Sequence, residues 1–220
     1  MAIDVKICGL KSEEAVEAAV EGGAQYVGFV FFPGSPRSVT AARAAQLAAL
    51  VPSDVTKVGL FVDADDETLH AVLRVAKLDL LQLHGRETSK RVAAIKAKFK
   101  IPVMKVIGVG AVSDLDRVGT FEAVADQLLF DARPPEGASR PGGLAQAFDW
   151  TLLQGREFQL PWLLAGGLTV DTLEEAVLAS GATAVDVSSG VEEREGVKSP
   201  TMIRAFLDRA RELDPTPDSA

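Results

Sequence analysis

The chain has 220 residues and a mass of 23.2 kDa, enough for one large domain or two small ones and for a core that needs no staples. At 47 % hydrophobic and 25 % charged it is neither disordered nor fibrous, its net charge of −8 argues against nucleic acid as a partner, and no uncharged apolar run approaches the roughly 18 residues of a membrane helix. The start, Met1-Ala-Ile-Asp-Val-Lys, lacks the basic and apolar regions of a secretory signal, and the single cysteine, Cys8, excludes an internal disulfide or a multi-cysteine metal site, so a cytoplasmic protein is expected.

Eight short apolar runs follow one another: Ile3–Ile7, Tyr26–Phe31, Thr56–Val62, Asp79–Leu83, Pro102–Ile107, Gln127–Phe130, Pro161–Ala165 and Ala184–Val187. Most are rich in β-branched or aromatic residues and do not alternate with polar ones, as expected of strands buried on both faces of a parallel sheet. Their starts lie 23 to 34 residues apart, which leaves room for a helix after each. The first such helix is capped by Ser12, has Glu13 and Glu14 in its first turn, buries Ala15, Val16, Ala19 and Val20, and ends at Gly22-Gly23. The seventh is capped by Thr169, carries Asp171 in its first turn, turns Val170, Leu173, Ala176 and Val177 inward, and closes at Gly181. The eighth has Ser199 as cap, Pro200 at its first position, and a stripe of Met202, Ile203, Phe206, Leu207 and Ala210.

The sixth gap differs. Ala132 to Ala147 holds Pro134, Pro135, Gly137, Pro141, Gly142 and Gly143 and no periodic face, and a loop of that length reads as a functional lid. Eight βα units in one chain predict a single α/β domain, a (β/α)8 barrel over residues 1–213, with 214–220 a frayed tail. An open doubly wound sheet is the competing architecture, and it usually has fewer strands.

In such a barrel the reactive groups stand at the C-terminal ends of the strands. Cys8 ends the first. A lone cysteine is most often a small buried hydrophobe, but here a thiolate can serve as base or nucleophile if a nearby positive charge supports it. Lys6 shares its strand face, either as a direct participant or as the buried partner of an inward carboxylate. Asp131 ends the sixth strand, either as a turn residue or as a general acid. Asp186 sits between Val185 and Val187, where an unpaired carboxylate is costly, so it pairs with a base such as Lys6 or faces a polar cavity. Gly166 and Gly167 after the seventh strand, with Ser189 and Gly190 after the eighth, have the make-up of a phosphate cradle, because glycine lets the backbone approach an anion. Arg37 is either a solvated loop residue or a clamp for a carboxylate, and Lys105, Arg133 and Arg140 are further cations that can draw an anionic ligand. His84 closes the fourth strand, and His70 lies on a helix. No metal-ligand spacing and no nucleotide-binding glycine signature is present, so no metal, dinucleotide or ATP is expected.

These residues fall into a recognisable set. Val5-Lys-Ile-Cys8-Gly9, Gly28-Phe-Val-Phe-Phe, Ser35-Pro36-Arg37-Ser38-Val39, Leu81-Gln-Leu-His84-Gly85, Leu129-Phe-Asp131, Leu164-Ala-Gly-Gly-Leu168 and Val185-Asp-Val-Ser-Ser-Gly-Val-Glu192 resemble the phosphoribosylanthranilate isomerase family of tryptophan biosynthesis, nearly end to end. The resemblance implies a cofactor-free Amadori rearrangement of N-(5-phosphoribosyl)anthranilate to 1-(2-carboxyphenylamino)-1-deoxyribulose 5-phosphate. It implies Cys8 as general base, Asp131 as general acid, Arg37 on the anthranilate carboxylate, the glycine turns on the phosphate, and Asp186 in the pocket without an assigned role. The partner it implies is a small phosphosugar, with no obligatory protein partner. Two stretches depart from the family pattern: Gly142-Gly143-Leu144-Ala145, where Gly-Gly-Thr-Gly is frequent, and Cys-Gly-Leu-Lys at the start, where Cys-Gly-Ile-Thr is commoner. Another phosphosugar isomerase or epimerase on the same barrel, or a non-catalytic phospho-ligand binder, would share the glycine cradle.

Overall fold

A strand that is apolar at every position must bury both of its faces, and eight such strands achieve this by closing on themselves. The computed structural model describes residues 3–135, 137–138, 140–143 and 145–213. Strands β1 (Asp4–Cys8), β2 (Tyr26–Val30), β3 (Thr56–Phe61), β4 (Leu80–Leu83), β5 (Val103–Val109), β6 (Gln127–Ala132), β7 (Trp162–Leu164) and β8 (Ala184–Val187) pair in parallel and in chain order, and β8 returns to β1. The expected (β/α)8 barrel is the fold. Each predicted run falls on a strand, with ends that differ by a few residues at most; β5 and β6 each run two residues further than the apolar pattern. The expected tail at 214–220 lies outside the described residues.

Seven α-helices surround the barrel: α1 (Glu13–Glu21), α2 (Ala41–Ala48), α3 (Asp66–Leu73), α4 (Ser89–Phe99), α5 (Val118–Glu122), α6 (Leu173–Ser180) and α7 (Pro200–Glu212). Their first turns are fixed by side-chain caps where a small hydroxyl or carboxylate precedes them. Ser12, Thr40, Asp65, Thr88 and Ser199 each accept from a backbone N–H three residues on. Two local expectations need correction. Thr169 caps a turn that precedes α6, accepting from Thr172 N at 3.2 Å, so Asp171 stands outside the helix. Met202 lies in the first turn of α7 and is exposed; Ile203, Phe206, Leu207 and Ala210 alone form the buried stripe. Between β6 and β7 the described residues form no α-helix, only an irregular segment and a 3-10 turn at Trp150–Leu153.

The strand alternation sorts the side chains into two compartments. Odd positions of β1, for example Val5 and Ile7, join the large core between strands and helices. The opposite face fills the barrel axis, where Val58, Leu80, Met104, Val106, Leu129 and Leu163 form the lower plug. Above it, toward the C-terminal ends, Cys8, Val30 and Leu60 make a smaller cluster backed by Phe32 and Val62. Lys6, Cys8, Gln82, His84, Asp131 and Asp186 all belong to this inward face, so one periodicity brings together residues up to 180 positions apart.

Candidate active site

A cavity of about 810 Å³, its open mouth included, occupies the C-terminal end of the barrel. It is lined by Cys8, Arg37, His84, Asp131, Gly166, Gly167, Asp186, Ser188 and Ser189, with an apolar wall of Val30, Phe32, Leu60 and Val62. Part of the β6–β7 segment lies over it through Arg140, Pro141, Gly142 and Gly143.

On the β1/β8 wall every charge has a partner. Lys6 stands opposite Asp186 in the strand register, and its Nζ donates to Asp186 Oδ1 at 2.8 Å with both groups buried. This is the pairing that a carboxylate inside a buried strand requires. Burial opposes the charge on Lys6, but the Asp186 carboxylate and the neighbouring Cys8 outweigh it and raise the lysine pKa. For Cys8 the balance runs the other way. Burial pushes its thiol above the ordinary value even though the Lys6 ammonium beside it pulls down. Gly28, next to Cys8 on β2, provides the room: a Cβ there would lie 3.1 Å from Cys8 Sγ and 3.3 Å from Lys6 Nζ.

The β4/β6 wall is less complete. Asp131 Oδ1 accepts from the N–H of Ala132 at 2.8 Å. Its Oδ2 lies 3.2 Å from Nε2 of His84, in contact but off hydrogen-bond alignment, and this nitrogen has no partner among the described residues. On the other side of the ring, Gln82 Nε2 lies 3.2 Å from His84 Nδ1, while Gln82 Oε1 is also unpartnered. Two glycines press on this group. Gly166, at φ +89°, would bring a Cβ to 3.2 Å from Asp131 Oδ1. A Cβ at Gly142 would lie 2.7 Å from His84 Nε2 and 2.8 Å from Asp131 Oδ2.

The third side belongs to Arg37, which is not the solvated loop residue of one sequence reading. It is buried and its fork is engaged: Nε and Nη2 donate to the two oxygens of Glu192 at 2.7 and 2.9 Å. Its Nη1 makes no hydrogen bond among the described residues and lies beside Gly143. Glu192 begins a small antiparallel hairpin, β9 (Glu192–Arg194) with β10 (Val197–Lys198), which sequence patterning did not reveal. Lys198 on the hairpin donates to Glu192 Oε1 and to the Ser188 carbonyl, each at 2.8 Å. Burial holds Lys198 down at about 8 against the pull of Glu192, while Arg37 and Lys198 overcome burial to hold Glu192 at about 2.

Other expected cations are committed elsewhere. Lys105 shares its strand face with Val103 and Ile107, which points it away from the barrel axis; it is buried against Glu87 at 2.6 Å and the carbonyls of Leu83 and Gly85. Arg133 pairs with Asp114 outside the cavity lining; Arg140 is the exception, for it pairs with Glu195 and still lines the cavity, as expected of a cation near the ligand. Gly166 and Gly167 line the cavity with left-handed backbones (φ +89° and +71°), and Ser189 joins them. Gly190 is outside the lining, and its lack of a side chain serves close packing on the Leu168 carbonyl.

Comparison with known proteins decides the family. The family model described as N-(5'phosphoribosyl)anthranilate (PRA) isomerase matches residues 5–209. The chain belongs to the phosphoribosylanthranilate isomerase family. The enzyme of that name from Paramagnetospirillum magneticum is 58 % identical over 211 residues, covering 96 % of this chain and 98 % of the relative. That from Paracoccus denitrificans is 56 % identical over 210 residues, with 96 % and 98 % covered. Among solved structures, the Thermotoga maritima phosphoribosyl anthranilate isomerase superposes with a TM-score of 0.83 at 33 % identity, covering 96 % of this chain and all of that one. A further phosphoribosyl anthranilate isomerase structure, a complex with reduced 1-(o-carboxyphenylamino)-1-deoxyribulose 5-phosphate, has a TM-score of 0.81 at 32 % identity, with 96 % and 100 % covered.

Cys8, Arg37, Asp131, Asp186, Gly166, Gly167 and Ser189 line one cavity. Four polar participants were not assigned from sequence. His84 and Gln82 were legible as inward positions two residues apart at a strand end. Glu192 stood in the Ser-Ser-Gly-Val-Glu motif without a role, and Lys198 gave no signal, because its importance depends on a hairpin with almost no apolar pattern. Among the described residues, no three His, Cys, Asp or Glu side chains gather as a metal site.

Proposed function

We propose that this chain isomerises N-(5-phosphoribosyl)anthranilate to 1-(2-carboxyphenylamino)-1-deoxyribulose 5-phosphate in tryptophan biosynthesis, with Asp131 as general acid and Cys8 as general base. The observation that carries this reading is the convergence of Cys8 from β1 and Asp131 from β6 on one cavity, with an arginine on its third side and glycine turns at the β7/β8 rim. Asp131 gives a proton to the furanose ring oxygen, the bond from that oxygen to C1 breaks, and a cationic Schiff base forms. The thiolate of Cys8 takes the proton from C2 to give the enolamine. The enolamine gains a proton at C1 and loses one from its C2 hydroxyl, so no net proton enters or leaves and both groups return to their starting states.

Each ligand group has a matching wall. The anthranilate ring suits Val30, Phe32, Leu60 and Val62, and its carboxylate suits Nη1 of Arg37. The phosphate suits the backbone around Gly166, Gly167 and Ser189. Arg37 and Lys198 share the single carboxylate of Glu192, and Arg140 and Arg194 stand near Ser189 with only Glu195 against them, so cations outnumber carboxylates at this mouth of an otherwise acidic protein. That local surplus answers how a site in a chain of net charge −8 attracts an anion. Burial raises the Cys8 thiol, and the Lys6 ammonium beside it pulls the other way. The cationic Schiff base, together with Lys6, supplies the positive charge that favours the thiolate when it is needed.

The test is the loss of substrate fluorescence on adding purified enzyme, with Cys8→Ala in parallel. Rapid loss with the wild type and a fall of about 10²- to 10⁴-fold in the variant is the expected result. Full activity of a folded Cys8→Ala protein removes Cys8 as base. A folded wild type that leaves this substrate untouched removes the reaction, and other phosphosugars become the substrates to try.

A further inference from the structure

Of the four buried side-chain polar atoms without a hydrogen-bond partner among the described residues, two, Gln82 Oε1 and His84 Nε2, stand together on the β4/β6 wall, while Gln127 Oε1 and Trp150 Nε1 lie elsewhere. Buried polar groups in folded proteins nearly always find partners, and an exception calls for a reason. Here the exception lies beside Asp131. We infer that His84, held by Gln82, is the positioning residue for the Asp131 carboxyl during the proton transfer to the sugar ring oxygen. This inference rests on the assignment of Asp131 as general acid.

The chain of contacts runs outward along two strands. Gln82 is fully buried on the inward face of β4, and its amide Nε2 meets His84 Nδ1 at 3.2 Å. An amide N–H donated to Nδ1 makes that nitrogen an acceptor and puts the ring proton on Nε2. This Nε2–H then stands 3.2 Å from Asp131 Oδ2. The other oxygen, Oδ1, is held by the Ala132 N–H at 2.8 Å. The two contacts together fix the rotation of the carboxyl group, and a lone pair of Oδ2 remains to hold the proton that is transferred. The contact with His84 is loose in the empty site, as catalytic hydrogen bonds often are before the ligand draws them in.

Gly142 supplies the remaining constraint. It lies over the pair so closely that a Cβ would come within 2.7 Å of Nε2 and 2.8 Å of Oδ2. Gly142 itself has no side chain to come between its backbone and the pair. His84 touches no reacting atom in this scheme. It acts through Asp131.

The experiment is a double-mutant cycle on His84 and Asp131, read as kcat and KM, with thermal unfolding of each variant as a control. His84→Leu is expected to lower kcat about 10- to 100-fold, the cost of a misplaced catalytic group, with KM changed less than about 3-fold. His84→Gln, whose amide reaches the position of Nε2, is expected to recover most of kcat. Gln82→Leu is expected to lower kcat in the same direction by a smaller factor. In the Asp131→Asn background, His84→Leu is expected to cost less than about 2-fold, because residues acting as a unit are not additive. A kcat at the wild-type level in folded His84→Leu, a loss confined to KM, or a full additional loss in the Asp131→Asn background overturns the positioning role. Wild-type turnover by Asp131→Asn overturns the general-acid assignment instead, so the two failures are told apart.

Discussion

The two walls of the barrel mouth are built on opposite principles. Along β1 and β8, Lys6 and Asp186 satisfy each other at 2.8 Å, and Cys8 lies in their field with its thiol raised by burial. Along β4 and β6, Gln82, His84 and Asp131 stand in a row with two polar atoms unpartnered. A completed pair holds its geometry whether or not a ligand is present. An incomplete row has hydrogen-bonding capacity left for a ligand to organise. The first wall therefore keeps a nucleophilic atom in a fixed place, and the second keeps an acid adjustable.

The largest effects should separate the walls by what they lose. Cys8→Ala and Asp131→Asn should each lower turnover by about 10²- to 10⁴-fold at nearly unchanged stability, measured by substrate fluorescence and by urea unfolding. Asp186→Asn should do the reverse in stability: it leaves the Lys6 ammonium buried without its counter-charge, at a cost of about 3–5 kcal/mol in urea unfolding. His84→Leu should cost less, about 1–3 kcal/mol, because it leaves only the neutral, buried Gln82 amide without its partner. If Asp186→Asn proves as stable as His84→Leu, the distinction between the walls fails.

Smaller effects refine the picture through pH. Burial raises the Cys8 thiol, so in the ligand-free protein its alkylation by iodoacetamide should remain slow through the range where a free cysteine ionises, near pH 8.5, and accelerate only above it. Reaction at the rate of a free thiol at pH 7 would mean that Lys6 outweighs burial. Glu192, held at about 2 rather than the ordinary 4.5, contributes stability that is complete above pH about 4.5 and is lost as the pH falls toward 2. Glu192→Gln should flatten that acid limb, and an unchanged limb would show that other carboxylates carry it.

Much of this architecture was legible because strand periodicity is a strong signal. The apolar runs located all eight strands, and the same alternation placed Lys6, Cys8, Asp131 and Asp186 on one face. The alternation also sends Lys105 outward, a consequence not drawn from sequence when it was counted among the ligand-attracting cations. Arg37 was found as a pocket residue, but its grip on Glu192 was not, because the two are 155 positions apart and joined by side-chain geometry alone. The hairpin that carries Glu192 and Lys198 escaped notice because six of its seven residues are charged or glycine. The exposure of Met202 follows from its place in the first turn of α7, where spacing suggests a stripe that the packing does not continue.

The segment from Ala132 to Asp149 has a consequence for how this enzyme can change. None of its described residues is fully buried, although Arg140, Pro141, Gly142 and Gly143 all face the cavity. It replaces the sixth outer helix, yet the β6 strand beneath is covered by other material, including Phe158 and Trp162 stacked about Phe130. One side of the cavity is thus lined by a stretch of chain whose described residues contribute little to the barrel core. A library confined to these positions could alter that side while the folding of the remainder stays almost constant, with Gly143, left-handed at φ +68° and pressed on Arg37, the position least free to vary.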